Sequence, residues 1–545
     1  MTTERAAEPL SEPSESEDRS RWPEVLHARL ANPEPEPQPP VRWRELLAVG
    51  LLVVLCDLTI YRGQGFAGYA ALFFLSPLLL AWGAYRPRLG PSAWIAGAML
   101  ALLAAKSVWC GSALLVAAGF ALLAAFAAGL SGQTPFVMET IVFVSLAVAA
   151  GYKRLNHYGR STTASSRMQA SALNIAMPLA ALIAFGTVFI LANPDLLASV
   201  SATSELIIKR VRQWLLQMDG GELVFWVASL WIATGLLRQA SGGILAEQTA
   251  EEAQPAAPRA EVSKFYPAFR NTLLTVIVLF AAYLAFEFRT LWFRKFPAGF
   301  YYSGYAHEGA AWLTFALALA TAVLSLVFRG GVLRDPRLRR LRALGWIWSA
   351  ENFVLTVAVY HRMAIYVDFN GMTPMRIVGL YGISAVVAGF ALVLWKIGRG
   401  RSFGWLVRRQ LWALALVVYL FALTPVDAIC VRYNVRRILA GDPAPSVQIS
   451  VHPIGPEGVL LLEPLLGSDD AIIREGVRAM LAQRADQAET AAARRQTLGW
   501  TAYQLADERV LKRLRADRSR WSAYQDRSQR AAALERFHKY AYQWY

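Results

Sequence analysis

Residues 360–377 read YHRMAIYVDFNGMTPMRI, which sets an arginine and an aspartate at the edge of a long apolar run. The stretch has the chemistry of a chain reversal between two membrane-length helices. Gly371 can take the positive φ that a tight reversal needs. Pro374 lacks an N–H that the first turn of a helix does not use, and Thr373 can accept from the amides exposed there. The spacing therefore predicts a turn over 368–373 and a helix opening at Pro374. Apolar runs flank it at about 344–367 and 374–395. Each is long enough to cross a bilayer, which takes about 20 helical residues.

The same kind of run recurs along the chain. Twelve candidate spans are read, at about 45–61, 66–85, 91–106, 110–130, 134–151, 170–192, 222–238, 269–288, 309–328, 344–367, 374–395 and 404–424. Lys106 divides one apolar stretch into two short halves, which makes the third and fourth the weakest. A lipid-exposed backbone must satisfy its own hydrogen bonds, so helices are expected. The runs do not alternate in polarity, which excludes a barrel. The fold class is all-α, a polytopic transmembrane bundle of about 12 spans with a small helical soluble domain at the C-terminal end.

Composition agrees. The 545 residues are 55% hydrophobic and 17% charged, against about 25% charged in ordinary soluble proteins. The net charge of +16 lies in short clusters between apolar runs, such as RDPRLRRLR (334–342). That pattern marks membrane loops and argues against nucleic acid as a partner. Cys56, Cys110 and Cys430 are too scattered for a disulfide framework or a zinc site. The bilayer is the implied partner, and the C-terminal domain offers a surface for a protein partner.

The organisation follows from where the runs fall. Residues 1–44 are acidic and proline-rich, predict a disordered tail and contain no signal-peptide apolar stretch. Residues 45–238 hold seven spans, with Ile207, Val211, Trp214, Leu215 and Met218 forming one stripe of a helix at 204–218 that reads as interfacial or, equally, as packed on the other spans. Residues 239–268 read as a flexible linker, and 269–425 hold five more spans. From 426 to 545 the chain is soluble in character, with an Asp470 start and a stripe at Ile473, Val477, Met480 and Leu481. Arginine gathers in the loops after spans five, seven, nine and eleven, for instance Lys153, Arg154 and Arg160 after span five. Those loops are expected to be cytoplasmic, with both tails on the other side.

Span parity gathers polar residues at that other face, in a rim made by several helix ends. Its members are Glu287, Arg289, Tyr305, His307, Glu308, Arg362, Asp368, Asp427, Arg432 and Asn434. Deeper in the tenth span sit Glu351 and Asn352. Eleven residues separate Glu351 from Arg362, and eleven steps of 100° return to nearly the same helix face. A buried ionisable group is a functional candidate by default. The plainer alternatives are an Arg362 that snorkels to the headgroups and a Glu351 that is protonated and hydrogen-bonded to a neighbouring helix. Otherwise Arg362 pairs with Glu287, Glu308 or Asp427.

Five stretches carry a family likeness: ALIAFGTVFILANPDLLA (181–198), AFEFRTLWF (285–293), YSGYAHEG (302–309), the stretch 360–377, and TPVDAICVRYN (424–434). On these the chain resembles the uncharacterised bacterial polytopic membrane family catalogued as domain of unknown function 4173. Where that family has Gln-x-Arg and Tyr-Ala-Arg, this chain has Glu287 with Arg289 and Tyr305-Ala306-His307. The resemblance implies a multi-pass architecture in the bacterial inner (cytoplasmic) membrane and no particular activity.

No catalytic or cofactor motif accompanies the rim. GxSxG, the P-loop, HExxH and a GxGxxG in strand–helix context are absent, so no catalytic residue, cofactor or metal ligand is expected. Three function classes remain. They are a structural or regulatory envelope protein, a secondary transporter with a pathway near Glu351 and Arg362, and a membrane-embedded enzyme acting on lipid or envelope substrates.

Overall fold

A computed structural model describes residues 42–84, 87–161, 205, 209, 220–237, 262–289, 302–328, 332–333 and 335–543. The expected N-terminal disordered tail, the span at 170–192, nearly all of the interfacial helix and most of the linker lie outside these residues. Every described element is helical. Eight helices among the described residues are long and apolar enough to cross a membrane. The protein is therefore a multi-pass helical membrane protein.

The first group of helices is α1 (Trp43–Cys56), which runs into one π-helical turn at Asp57–Tyr61, then α2 (Phe66–Gly83), α3 (Pro91–Trp109), α4 (Ala113–Leu130), α5 (Val137–Ser161) and α6 (Gly220–Leu237). Lys106 does not break α3, which continues to Trp109. One core joins these helices around Leu72, Phe73, Leu100, Leu103 and Leu130. Close approach depends on glycine in places: a Cβ on Gly119 of α4 would overlap the ring of Phe73.

The second group is α7 (Tyr266–Glu287), α8 (Tyr302–Val327), α9 (Leu338–Asn370), α10 (Pro374–Arg399) and α11 (Phe403–Leu423). Helix α7 opens at Tyr266, inside the segment read as linker, and the Ser263 N–H donates to Asp335 at 2.9 Å. With 33 residues α9 is about 50 Å long at 1.5 Å per residue. It runs antiparallel to α8 along its length, because Gly309 at the start of α8 meets Arg362 and Leu324 near its end meets Gly345. Leu317, Leu324, Trp348 and Val393 centre the core of this group, and Leu313, Leu355 and Val359 extend it.

Helix α11 ties the two groups. Its Leu406 belongs to the second core, while Tyr419 and Ala422 belong to the first. The Tyr419 hydroxyl donates to the Met99 carbonyl at 3.0 Å, and Arg408 pairs with Glu139 at 2.7 Å.

The remaining chain is a helical domain of α12 (Val426–Leu439), α13 (Ser446–Val451), α14 (Pro456–Val459), α15 (Ala471–Leu498), α16 (Leu505–Ala516) and α17 (Arg527–Tyr542), linked by short 3-10 turns. Asp470 caps α15 as its sequence position predicts, accepting from the N–H groups of Ile472 and Ile473 at 2.8 and 3.2 Å. Ile473, Val477 and Leu481 pack on Val431, Val435, Trp521 and Phe537.

The faces follow from these contacts. Helix α6 begins beside Arg62, at the face that carries the tail domain, and α5 lies antiparallel to it: Ala147 meets Gly235, and Gly151 meets Trp231. The last turns of α5, with Lys153, Arg154 and Arg160, therefore head toward the tail face. This corrects the loop-charge expectation that placed them at the opposite one. It also puts the start of α1 and the tail domain at opposite faces, where charge counting predicts a shared side. The basic turns of α5 belong to the helix itself and do not mark a loop.

The reversal at 371–373 is shorter than its sequence predicts, because α9 continues to Asn370. Gly371 has φ 81° and ψ −173°, a region open to glycine alone, whereas Gly400 after α10 sits in the left-handed helical region at φ 63° and ψ 32°. Gly371→Ala is expected to lower the thermal midpoint in detergent, at a cost of about 1–3 kcal/mol. Gly400→Asn should be nearly silent, because asparagine tolerates the left-handed helical region. Equal midpoints for Gly371→Ala and the parent protein would refute this account of the turn.

Candidate functional site at the tail-facing rim

An arginine near the end of an apolar helix must find an anion, a phosphate or water. Arg362 finds an anion. Its Nε and Nη2 donate to Glu287 Oε1 and Oε2 at 2.7 and 2.6 Å, a two-pronged contact between α9 and α7. Both groups are buried, at 5% and 1% exposure. The Tyr283 hydroxyl, one turn back on α7, donates to the same carboxylate at 2.9 Å. Gly309 of α8 leaves the space the guanidinium fills, since a Cβ there would collide with Nη1. Arg362 is thus held by a partner helix and does not snorkel.

The other expected rim residues divide. Asn434 of α12 locks the turn, accepting from Met372 N at 2.7 Å and donating to Met372 O at 2.8 Å. Gln448 of α13 donates to Asn370 O at 2.7 Å. Arg376 donates to Gly371 O, and its guanidinium lies 3.9 Å from the Tyr366 ring centre. Asp368 is exposed and accepts from the Tyr433 hydroxyl at 3.0 Å. Arg289 and Arg432 are exposed. The side chains of Tyr305, His307 and Glu308 lie outside the described set; the backbone puts all three in the first two turns of α8.

Asp427 opens α12 and accepts from Gly455 N at 3.0 Å. It helps line a cleft with Met372, Pro374, Asn434, Gln448 and His452. The cleft offers about 20 Å³ to a water-sized molecule, room for about one water and too little for a metabolite. Burial pushes the Asp427 carboxyl above the ordinary range and Glu457 adds to this, against the Gly455 N–H, Arg484 and Lys106. Burial, then Asp427, push the Cys430 thiol beside it up to about 12, so it is no ready nucleophile.

Two clusters escape the sequence reading. In the first, Arg62 after α1 donates to Glu222 of α6 at 2.8 Å and lies 3.3 Å from Asp57, which accepts from Trp226 Nε1 at 2.9 Å. In the second, Lys106 and Trp109 of α3 donate to Glu457 of the tail domain, the indole at 2.7 Å. Beside it, Gln504 accepts from Gly111 N at 2.6 Å and donates to Ser107 O at 3.0 Å. Thr501 accepts from Gln64 N at 3.1 Å. The signal was the one that exposed Arg362, a charge at the end of an apolar run, in DLTIYRGQG (57–65) and AAKSVW (104–109).

Residues 91–452 match the family described as Domain of unknown function (DUF4153). The chain belongs to that family. The match names a different uncharacterised family from the one the motifs resemble. No curated protein and no solved structure matches the chain. In this DUF4153 protein the matched region runs from the start of α3 to the residue after α13. It includes the Glu287–Arg362 pair, Lys106, and the turn held by Asn434 and Gln448. Glu457 and Gln504 lie beyond it.

Deeper in the second group, Asn352 is fully buried and donates to Trp348 O at 2.8 Å. Its Oδ1, the Trp348 Nε1 and Glu351 Oε2 have no hydrogen-bond partner among the described residues. Eleven residues along the same helix from Arg362, Glu351 does not reach the pair.

Arg362→Leu leaves Glu287 without its cation and should destabilise the protein in detergent by roughly 0.6–2 kcal/mol, the range of intramembrane polar contacts. Arg362→Lys should cost nearly as much, because a lysine cannot reproduce the fork. A lysine variant as stable as the parent would refute the two-pronged pair. Asp427 gives a pH dependence. Its folded-state pKa lies above that of the unfolded chain, so its stabilising contribution is full below the ordinary aspartate value and is lost as pH rises through the raised one. Asp427→Asn should therefore melt above the parent at alkaline pH, with the gap closing on acidification; a gap independent of pH would contradict the assignment.

Proposed function

We propose that this protein is a structural or regulatory component of the bacterial inner membrane, in which the polar rim fastens span ends to a helical tail domain that docks a partner. What supports this is the use to which the rim's charges are put. Glu287–Arg362 joins α7 to α9, Arg62–Glu222 joins the end of α1 to α6, and Lys106–Glu457 joins α3 to the tail. Asn434 and Gln448 fasten the tail to the α9–α10 turn. The tail thereby grips both groups of helices at once.

An enzyme acting on lipid or envelope substrates would need Arg362 open to a groove, and it is buried and spent on Glu287. Transport has a specific observation in its favour: Glu351, Asn352 and Trp348 carry unpartnered polar atoms inside α9. Ser349 and Thr356 continue that polar face, and buried Lys396 of α10 donates to Ser325 O at 3.3 Å near the opposite end. A water-filled path along this face is the second reading. The assignment to a bacterial inner membrane rests on the motif resemblance to the family catalogued as domain of unknown function 4173.

The two readings separate in cells. Under the structural reading Glu457→Gln with Lys106→Met loosens the tail. Limited proteolysis of membranes should then release tail fragments, and the cellular phenotype of a deletion should return. Glu351→Gln should complement fully. Loss of complementation by Glu351→Gln, at unchanged protein level and melting temperature, would overturn the structural reading in favour of transport.

A further inference from the structure

The tail domain carries exposed apolar residues where a soluble domain would place charge. Three of them lie together at the edge that meets the membrane helices. Trp500, Tyr503 and Leu505 are 58%, 44% and 42% exposed, although their neighbours Thr501, Ala502 and Ala506 are buried. The height of this edge is fixed. Thr501 is bonded to Gln64 just before α2, and Gln504 is bonded to Ser107 and Gly111 at the junction of α3 and α4. Gly65 and Gly68 admit it, since a Cβ at either would press on Thr501 or Ala502. Arg509, one turn further on, holds its guanidinium 6.0 Å from the ring centre of Trp109, the last residue of α3.

These span ends mark the boundary between hydrocarbon and water, and side chains hung on them lie in the headgroup layer. Trp and Tyr are favoured there because one end of each ring is apolar and the other can hydrogen-bond. An exposed arginine at the same level meets lipid phosphate, which accepts from a guanidinium.

We propose that the edge Trp500–Arg509 is a membrane-surface contact, with Trp500, Tyr503 and Leu505 set into the headgroup layer of the bilayer and Arg509 on its phosphates. The tail would then be fastened twice, by hydrogen bonds to the span ends and by lipid. The inference needs only the observed seat of the tail and holds whichever function the rim serves.

The test uses the full-length protein with Cys56, Cys110 and Cys430 replaced by alanine. A single cysteine is returned as Trp500→Cys or Tyr503→Cys and labelled with an environment-sensitive fluorophore. Both positions are exposed, so either variant can fold if the other does not. The labelled protein is reconstituted in phosphatidylethanolamine–phosphatidylglycerol vesicles, with and without acyl chains brominated near the glycerol backbone. The expected result is blue-shifted emission and a loss of emission in brominated vesicles at both positions. Emission unchanged by brominated lipid at both positions would overturn the proposal. A blue shift without that loss would also overturn it, because it would mean that protein, not lipid, covers the edge.

Discussion

A buried guanidinium cannot stay alone in hydrocarbon, and the Arg362–Glu287 pair is where this chain meets that constraint. The pair reaches across two helices, so it fixes the register of α7 against α9. It leaves no room for a Cβ at Gly309, which brings α8 against the same point. The three helices thus converge on one ion pair below the turn that follows α9. Buried pairs of this kind are weak sources of stability, since desolvation offsets much of the attraction. They are strong selectors of geometry, because a shift of one helical turn would leave both charges unpaired.

Above the pair, the turn Gly371–Thr373 is held from outside its own hairpin. Asn434 binds both polar groups of Met372, and Gln448 takes the carbonyl of Asn370. A Cβ at Gly371 would lie 2.6 Å from the Asn434 oxygen, so the glycine serves the backbone conformation and the close approach together. The seat at the α3–α4 junction uses the same chemistry with Gln504. Amide side chains, which donate and accept at once, suit both places because a helix end presents unmatched carbonyls and N–H groups.

Much of this was legible in the sequence. Apolar runs of membrane length gave the helices, and the Gly-x-Thr-Pro order in 371–374 gave the turn and the Thr373 cap, which accepts from Arg376 N at 3.3 Å. Arg362 and Glu287 could be named as candidate partners because span parity puts both at one face. Lys106 could not be read correctly. Its meaning depends on Glu457, 351 residues away, and a lysine in an apolar run looks like a break until its partner is seen. Arg62 and Glu222, 160 residues apart, were illegible for the same reason. The faces went wrong at α5, where basic residues on a continuing helix imitate a loop.

Helix α11 has a consequence for synthesis. Tyr419 and Ala422 complete the core of a helix group whose other members, α1 to α6, leave the ribosome much earlier. Until α11 arrives, the groove on α3 and α4 that receives Tyr419 is open to lipid or to other chains. Domains generally fold as units in the order they are made, and this one cannot close until the second group has been inserted. Truncation after α10 would therefore remove one helix from each core at once, and the early helices would carry an unfilled seam into the quality-control machinery of the membrane.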